Sequence, residues 1–311
     1  MKDNRFVIGT DIGGSHITCM AVEPSAKRIL PDVCVRKPVN SQAGAEEILG
    51  VWAETLADCL AQLSPASPGG IGFAMPGPFD YPKGLALFSG VRKFDSLYNI
   101  NVRDEMRKRL NLPEDLPIRF MNDATCFAIG EAWLGQASAY SRTMAITLGT
   151  GFGSAFLDEG IPVESGDEVP AFGCVYHLAY EDSIADDYFS SRWFEKAWLS
   201  RIGTPSPGVK AMTEMAPENP AVMEIFNSFG ERLGSFLAPC LRTFRAGCLT
   251  IGGNIARSFA VFGPSFLDTL RKKNCRTEVF LSTLGEHAAI AGSARLADDG
   301  FYSQLPFISN K

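Results

Sequence analysis

A chain of 311 residues with a formal net charge of -6 carries no Lys/Arg-rich run, so nucleic acid, whose phosphates call for clustered cations, is not an expected partner. Its 46% apolar and 21% charged residues suit two ordinary globular domains and exclude a disordered chain. No window approaches the roughly 18 apolar residues of a membrane helix, and MKDNRFVI (1–8) lacks the apolar core and cleavage site of a leader, which makes the cytoplasm the expected compartment.

In chain order, RFVIGT (5–10) predicts a buried strand, DIGGS (11–15) a tight turn and HITCMAVE (16–23) the return strand of a hairpin. Ala45, Ile48, Leu49, Trp52, Leu56, Cys59, Leu60 and Leu63 repeat at helical spacing and predict a helix over 43–63. SPASPGG (64–70) stops it. IGFAM (71–75) is the next strand, running into Pro76-Gly77-Pro78, and a helix is expected over 101–111. PIRFM (117–121) is a strand, Asn122-Asp123 stand at its end, and ATCFAIGEAWLG (124–135) begins a helix.

TMAITL (143–148), Gly149-Thr150-Gly151 and FGSAFLDEG (152–160) then repeat the strand, glycine turn, strand grammar of residues 5–23. From 160 to 190 no period emerges, and EDSIADD reads as an acidic loop. Val222, Ile225, Phe226, Phe229, Leu233, Phe236, Leu237, Leu241 and Phe244 mark a long amphipathic helix over 220–246. CLTI (248–251) is a strand ending in Gly252-Gly253-Asn254, and an alanine-rich helix is expected over 286–298. Strands alternating with helices make an α/β protein, and two copies of one hairpin predict two similar lobes that could face each other across a cleft holding nucleotide and substrate.

A glycine turn between strands leaves backbone N–H groups unpaired and lets a phosphate approach without Cβ interference. Both Asp11-Ile12-Gly13-Gly14-Ser15 and Leu148-Gly149-Thr150-Gly151 fit, though glycine-rich hairpin turns are also common structural devices. The P-loop pattern is absent, and GTGFGS has neither the dinucleotide-binding spacing nor a following helix. The eight cysteines never form Cys-x-x-Cys and mostly lie in apolar stretches, so reduced thiols and no structural zinc are expected.

With IGTDIGGSHI, MPGPFD, NDATCFAIGEAWLG, ITLGTGFG, LTIGGNI and EHAAIAGSA in this order, the chain resembles the ROK family of sugar kinases and repressors over nearly its whole length. The resemblance implies a two-lobed actin/hexokinase-like (ribonuclease H-like) α/β fold with ATP and sugar in the interlobe cleft. A small lobe would comprise 1–121 plus 290–311, a large one 122–289, and a homodimer is the common assembly. It implies ATP-dependent phosphorylation of a sugar hydroxyl, with the 6-hydroxyl of a hexose as the expected acceptor.

By position, Asp123 would be the general base, ionised at pH 7 with an ordinary carboxylate pKa near 3.9, although Asn122-Asp123 alone would read as a helix cap. Asn122, Gly77, His177 and Asp186 would contact the sugar. Asp11 would help hold Mg2+. Gly13, Gly14, Ser15, Gly149, Thr150 and Gly151 would wrap the ATP phosphates, with Gly252, Gly253 and Asn254 near the adenosine.

The sugar side departs from the family pattern. Gly173-Cys174-Val175-Tyr176-His177 has Cys174 where a glutamate is usual and Tyr176 where a glycine is usual; the zinc cysteines are missing, so His177 is expected as a sugar contact ahead of a packed core histidine, and least as a metal ligand. ADDYFSSRWF (185–194) resembles the family's E-x-Y-x-S-x-R stretch with Asp186 in a glutamate's place, and His16 stands where a lysine is usual. SGVRKFDSLYN (89–99) replaces an asparagine-containing sugar loop, with Arg92 and Lys93 either favouring an anionic sugar or simply solvated. Two other functions compete: a non-catalytic sugar-binding or regulatory protein, whose DNA-binding extension has no room before residue 5, and an actin-like ATPase, which lacks the MPGPFD and NDATCF segments.

Overall fold

The structure, a computed structural model, describes residues 6–64, 66–91 and 93–309; Arg5, at the head of the expected first strand, and Arg92 lie outside the described residues. The chain forms two compact units, Met1–Gly135 with Glu286–Lys311, and Gln136–Gly285. In the first unit β1 (Val7–Ile12), β2 (His16–Glu23), β3 (Arg28–Pro38), α1 (Ala45–Ala61), β4 (Ile71–Met75), α2 (Val102–Arg109), β5 (Ile118–Asn122) and α3 (Asp123–Leu134) follow one another. The second unit holds β6 (Arg142–Leu148), β7 (Phe152–Asp158), β8 (Ile161–Pro162), α4 (Ser191–Ile202), α5 (Pro220–Phe244), β9 (Cys248–Gly252), α6 (Phe259–Lys272) and β10 (Glu278–Leu281). The chain then returns to the first unit as α7 (His287–Arg295).

The repeated hairpin grammar has a full structural counterpart. The first sheet runs β3-β2-β1-β4-β5 and the second β8-β7-β6-β9-β10. In each, three antiparallel strands are followed by two parallel ones. The turns Gly13–Ser15 and Gly149–Gly151 therefore occupy equivalent places, between the first and second strands of their own sheets.

The first unit builds its core from Trp52 of α1 and from Phe73 and Phe120, stacked at 4.9 Å on adjacent strands. Its other distinctive contact is backbone to backbone. A Cβ on Gly9 of β1 would stand 2.1 Å from the Ile290 oxygen, one on Gly72 of β4 1.7 Å from the Ser293 oxygen, and one on Gly130 of α3 1.9 Å from the Ala288 oxygen. All three glycines face α7, which only bare backbone can approach so closely. Ser293 ties the helix down further by accepting the Thr10 N–H at 3.0 Å.

The second core gathers the apolar face of α5, where Val222, Ile225, Phe226, Phe229, Leu233, Leu237, Leu241 and Phe244 are all buried, as the 3.6-residue period predicts. Some elements go beyond the sequence pattern. β3 alternates exposed and half-buried residues and forms the sheet edge, where its Arg, Lys and Pro residues discourage further pairing. α6 contains Gly263-Pro264, which reads as a break, yet it packs on α5 through Gly230, whose added Cβ would come 2.3 Å from the Phe262 oxygen. The acidic 181–187 stretch is not all loop: Ala185–Tyr188 closes one helical turn. The first unit extends to Gly135, past the division at 121 implied by the resemblance, and the second ends at Gly285 rather than 289, because α3 packs along α7. Asp123 consequently belongs to the same unit as Asp11.

Candidate functional site

Three parallel strands of the first sheet end together. Asp11 of β1 is level with Ala74 of β4, and Met75 with Asn122 of β5, so Asp11, the Pro76-Gly77-Pro78 segment and Asn122-Asp123 share the carboxyl edge where open α/β sheets bind ligands. Asn122 does cap α3: its Oδ1 accepts the N–H groups of Ala124 and Thr125 at 3.1 and 3.2 Å. Capping leaves its amide nitrogen, which donates to the Tyr81 hydroxyl at 3.4 Å. A Cβ on Gly77 would lie 3.5 Å from that same hydroxyl, so Gly77, Tyr81 and Asn122 form one cluster.

Asp123 opens α3, and its Oδ1 accepts the Ala124 N–H at 2.8 Å. Burial pushes its carboxyl above the ordinary carboxylate value, against the pull of the Ala124 and Asp123 N–H groups, the Asn122 side chain and the Lys93 charge. The ordinary pKa expected from sequence is corrected accordingly. Asp11 is pushed up to about 7 by burial first, then by the charges of Asp123 and Glu286, with Arg36 opposing. Arg36 itself donates to Glu286 at 3.0 Å.

Two neighbouring carboxyl groups, both raised, make a place where a cation is favoured. Among the described residues no group of three or more His, Cys, Asp and Glu could form a metal cage. One or two carboxylates completed by substrate phosphates is the usual arrangement for Mg2+, and Asp11 with Asp123 nearby fits it.

The first glycine turn is closed by the Gly13 N–H donating to the His16 oxygen at 2.9 Å, with Ser15 Oγ 3.1 Å from His16 Nδ1. Gly14 is overhung by a side chain distant in sequence: a Cβ there would sit 3.0 Å from Lys93 Cε and 3.1 Å from Nζ. Nothing in the local pattern around residue 93 foretells this approach.

In the second unit the turn is braced from behind. Gly149 N–H donates to the Gly151 oxygen at 3.0 Å, and the Gly149 oxygen accepts the Ser191 N–H at 2.9 Å. Asp186 Oδ1 accepts the Phe152 N–H at 2.7 Å, while its Oδ2 pairs with Arg192, which also donates to the Thr150 oxygen at 2.8 Å. Asp186 is thus held against the glycine turn, and Arg192, the arginine of the E-x-Y-x-S-x-R-like stretch, is a structural partner that the sequence reading passed over. Because β9 runs parallel beside β6, with Gly252 level with Thr147, Gly252-Gly253-Asn254 emerge next to the same turn. Gly253 has φ +87°, and a Cβ there would meet the Leu148 oxygen at 2.3 Å, so this position requires glycine.

Cys174 Sγ lies 3.7 Å from His177 Nδ1. Burial, helped by Glu164, pushes the thiol up to about 11, so it stays neutral at pH 7 and cannot supply a carboxylate's charge. The His177 ring meets those of Phe172 and Tyr176 edge-on, at 5.9 and 5.3 Å.

The ROK family model matches residues 7–300. A glucokinase from Thermotoga maritima is 26% identical, with 93% of this chain and 96% of that protein covered. An N-acetyl-D-glucosamine kinase from Haemophilus influenzae is 24% identical over 80% of this chain and 84% of its own length. Among solved structures, a ROK family glucokinase from Streptomyces griseus in complex with glucose and AMPPNP superposes with a TM-score of 0.72 at 21% identity, covering 94% of this chain and 98% of that one.

Proposed function

The chain belongs to the ROK family, whose model spans residues 7–300, and from that premise we propose that it is an ATP-dependent sugar kinase with Asp123 as general base, acting on the 6-hydroxyl of a hexose. The observation that carries this reading is the pair of acids on one strand edge: Asp123 at the head of α3, and Asp11 near enough for the Asp123 charge to help raise its carboxyl, beside a glycine turn in the same unit.

In the proposed reaction a sugar hydroxyl oxygen bonds to the γ-phosphorus of ATP as the bond to the β-phosphate oxygen breaks and ADP leaves. The hydroxyl proton passes to the Asp123 carboxylate. A base stronger than an ordinary aspartate suits this task, since proton transfer gains as the two affinities approach each other. Mg2+, held by Asp11, supplies neutralisation of phosphate charge when bound. Asn122 offers its amide to a sugar hydroxyl, with Gly77 and His177 as further contacts. The turns Gly13 to Ser15 and Gly149 to Gly151 wrap the phosphates, the Gly13 and Gly149 N–H groups closing the turns themselves, and Gly252 to Asn254 flank the nucleoside. To Asp186 we assign, beyond the sugar contact expected of it, the bracing of the second turn through Phe152 and Arg192.

A coupled ADP-release screen over neutral, amino and acidic sugars tests the reading. Turnover with one class, lost in Asp123→Asn, is the expected result; no turnover with any sugar counts against it. A second reading, a sugar-binding protein without catalysis, is favoured by one feature, the neutral Cys174 in a glutamate's place. Calorimetry that records sugar binding by a wild-type protein inert toward ATP would select it. A cytoplasmic homodimer completes the proposal, and sedimentation equilibrium reads the assembly.

A further inference from the structure

Within the 89–99 segment, where the chain departs from its family, residues 93–97 are firmly anchored. Phe88, Phe94 and Leu97 are each buried to within 1% of full burial. Phe94 occupies the left-handed region at φ 60°, a conformation that is costly for a non-glycine residue and persists only where its surroundings enforce it. Its ring packs on Trp52 at 5.4 Å and Phe88 at 5.6 Å, and its N–H donates to the Ser41 oxygen at 2.6 Å. Ser96 Oγ adds a hydrogen bond to the Ala43 oxygen at 2.7 Å. The residue before Phe94 is therefore aimed by a pinned backbone.

That residue is Lys93. Its side chain runs to the glycine turn after β1, so that a Cβ on Gly14 would stand 3.1 Å from the ammonium nitrogen. The same charge reaches Asp123, whose carboxyl it pulls down. Lys37 and Lys83 are tied to carboxylates, whereas Lys93 has no ion-pair partner among the described residues. An unpaired ammonium thus hangs between the glycine turn at Gly14 and the acid that receives the proton. An anion is the ligand such an arrangement takes, and the one that must pass between the two is the phosphoryl group.

Building on the kinase reading above, we infer that Lys93 contacts the γ-phosphate of bound ATP and stabilises the phosphoryl group during its transfer. The ammonium is exposed and its charge is screened by water in the free protein; once nucleotide and sugar exclude that water, the same charge acts at close range on three phosphoryl oxygens. The basic pair at 92 and 93 is then neither a solvated face nor an acidic-sugar reader at its second member. Lys93 takes part in the chemistry.

Lys93→Met and Lys93→Arg test this, with Mg-ATP and Mg-ADP affinities read by calorimetry and turnover by ADP release. Lys93→Met is expected to weaken ATP about tenfold, leave ADP within about twofold, and lower kcat about 100-fold, the scale of losing one donor at a developing charge. Lys93→Arg should recover most of the ATP affinity. An unchanged ratio of ATP to ADP affinity in Lys93→Met overturns the inference, as does a loss confined to acidic sugars. Should the wild type phosphorylate no sugar, the kinase reading fails by itself, and the nucleotide affinities still decide the role of Lys93.

Discussion

Replacing Gly292 with alanine sets two effects of known size against each other. Gly292 lies inside α7, where alanine is favoured over glycine by about 1 kcal/mol per residue. Its new Cβ would, however, lie 1.8 Å from the backbone oxygen of Cys126 on α3 and 2.6 Å from that carbonyl carbon. Real carbon–oxygen contacts need about 3.2 Å, so α3 and α7 must part by more than 1 Å, and neither partner is a side chain able to swing away. Overpacking of this kind costs about 1–3 kcal/mol, occasionally more, and separating the two helices also loosens Gly130 against Ala288. We expect a net loss of about 2 kcal/mol, seen as a lower urea midpoint, with faster amide exchange in α3 and α7. Because Asp123 heads α3, kcat should fall as well; a displacement of about 1 Å can cost on the order of 100-fold. Gly50 in α1 is the control, since nothing stands within 4 Å of a Cβ there, and Gly50→Ala should stabilise by up to about 1 kcal/mol. A Gly292→Ala protein as stable as the wild type would refute backbone contact between α3 and α7.

Other consequences can be measured separately. Asp11, with a pKa of about 7 folded against 3.8 when unperturbed, binds a proton in the folded protein that the unfolded chain has released between about pH 4 and 7. Stability should therefore fall as pH rises through that window, and Asp11→Asn should flatten the slope of Tm against pH. Phe94→Ala, which empties a fully buried aromatic site, should cost about 3–5 kcal/mol and reproduce the nucleotide-binding defect of Lys93→Met. Arg192→Ala removes the pairing with Asp186 and Thr150 and should raise KM for ATP several-fold while leaving the fluorescence midpoint of the first unit unchanged. Elemental analysis should find less than one zinc per chain.

Residues whose role is set by near neighbours were legible in the sequence. The two glycine turns declare themselves through flanking apolar runs, and Asn122-Asp123 through the change from strand to helix period, which also puts Asp123 at the head of α3. What escaped depends on distant partners. β3 carries an edge strand's charges and prolines, so its pattern looks like a loop until β2 is beside it. α6 hides behind Gly263-Pro264, which only its packing against Gly230 explains. Lys93 resembles any exposed cation until the buried Phe94 next to it is seen to aim it at Gly14. The part of the raised Asp11 carboxyl that comes from the Asp123 charge follows from the meeting of β1 and β5 edges through β4, a consequence of sheet order rather than of local sequence.

The dependence of the first unit on α7 also governs how the protein is made. Gly9 and Gly72 present bare backbone to that helix, and residues 286–311 reach the unit only after the whole of Gln136–Gly285 has been synthesised. On the ribosome the usual order, in which N-terminal domains fold first, is therefore reversed: the second unit has all its strands before the first can cover its sheet. A nascent chain halted before residue 286 should hold a protease-resistant second unit beside a first unit that is still cut, which gives the cell a long interval in which chaperones are most needed at the N-terminal end.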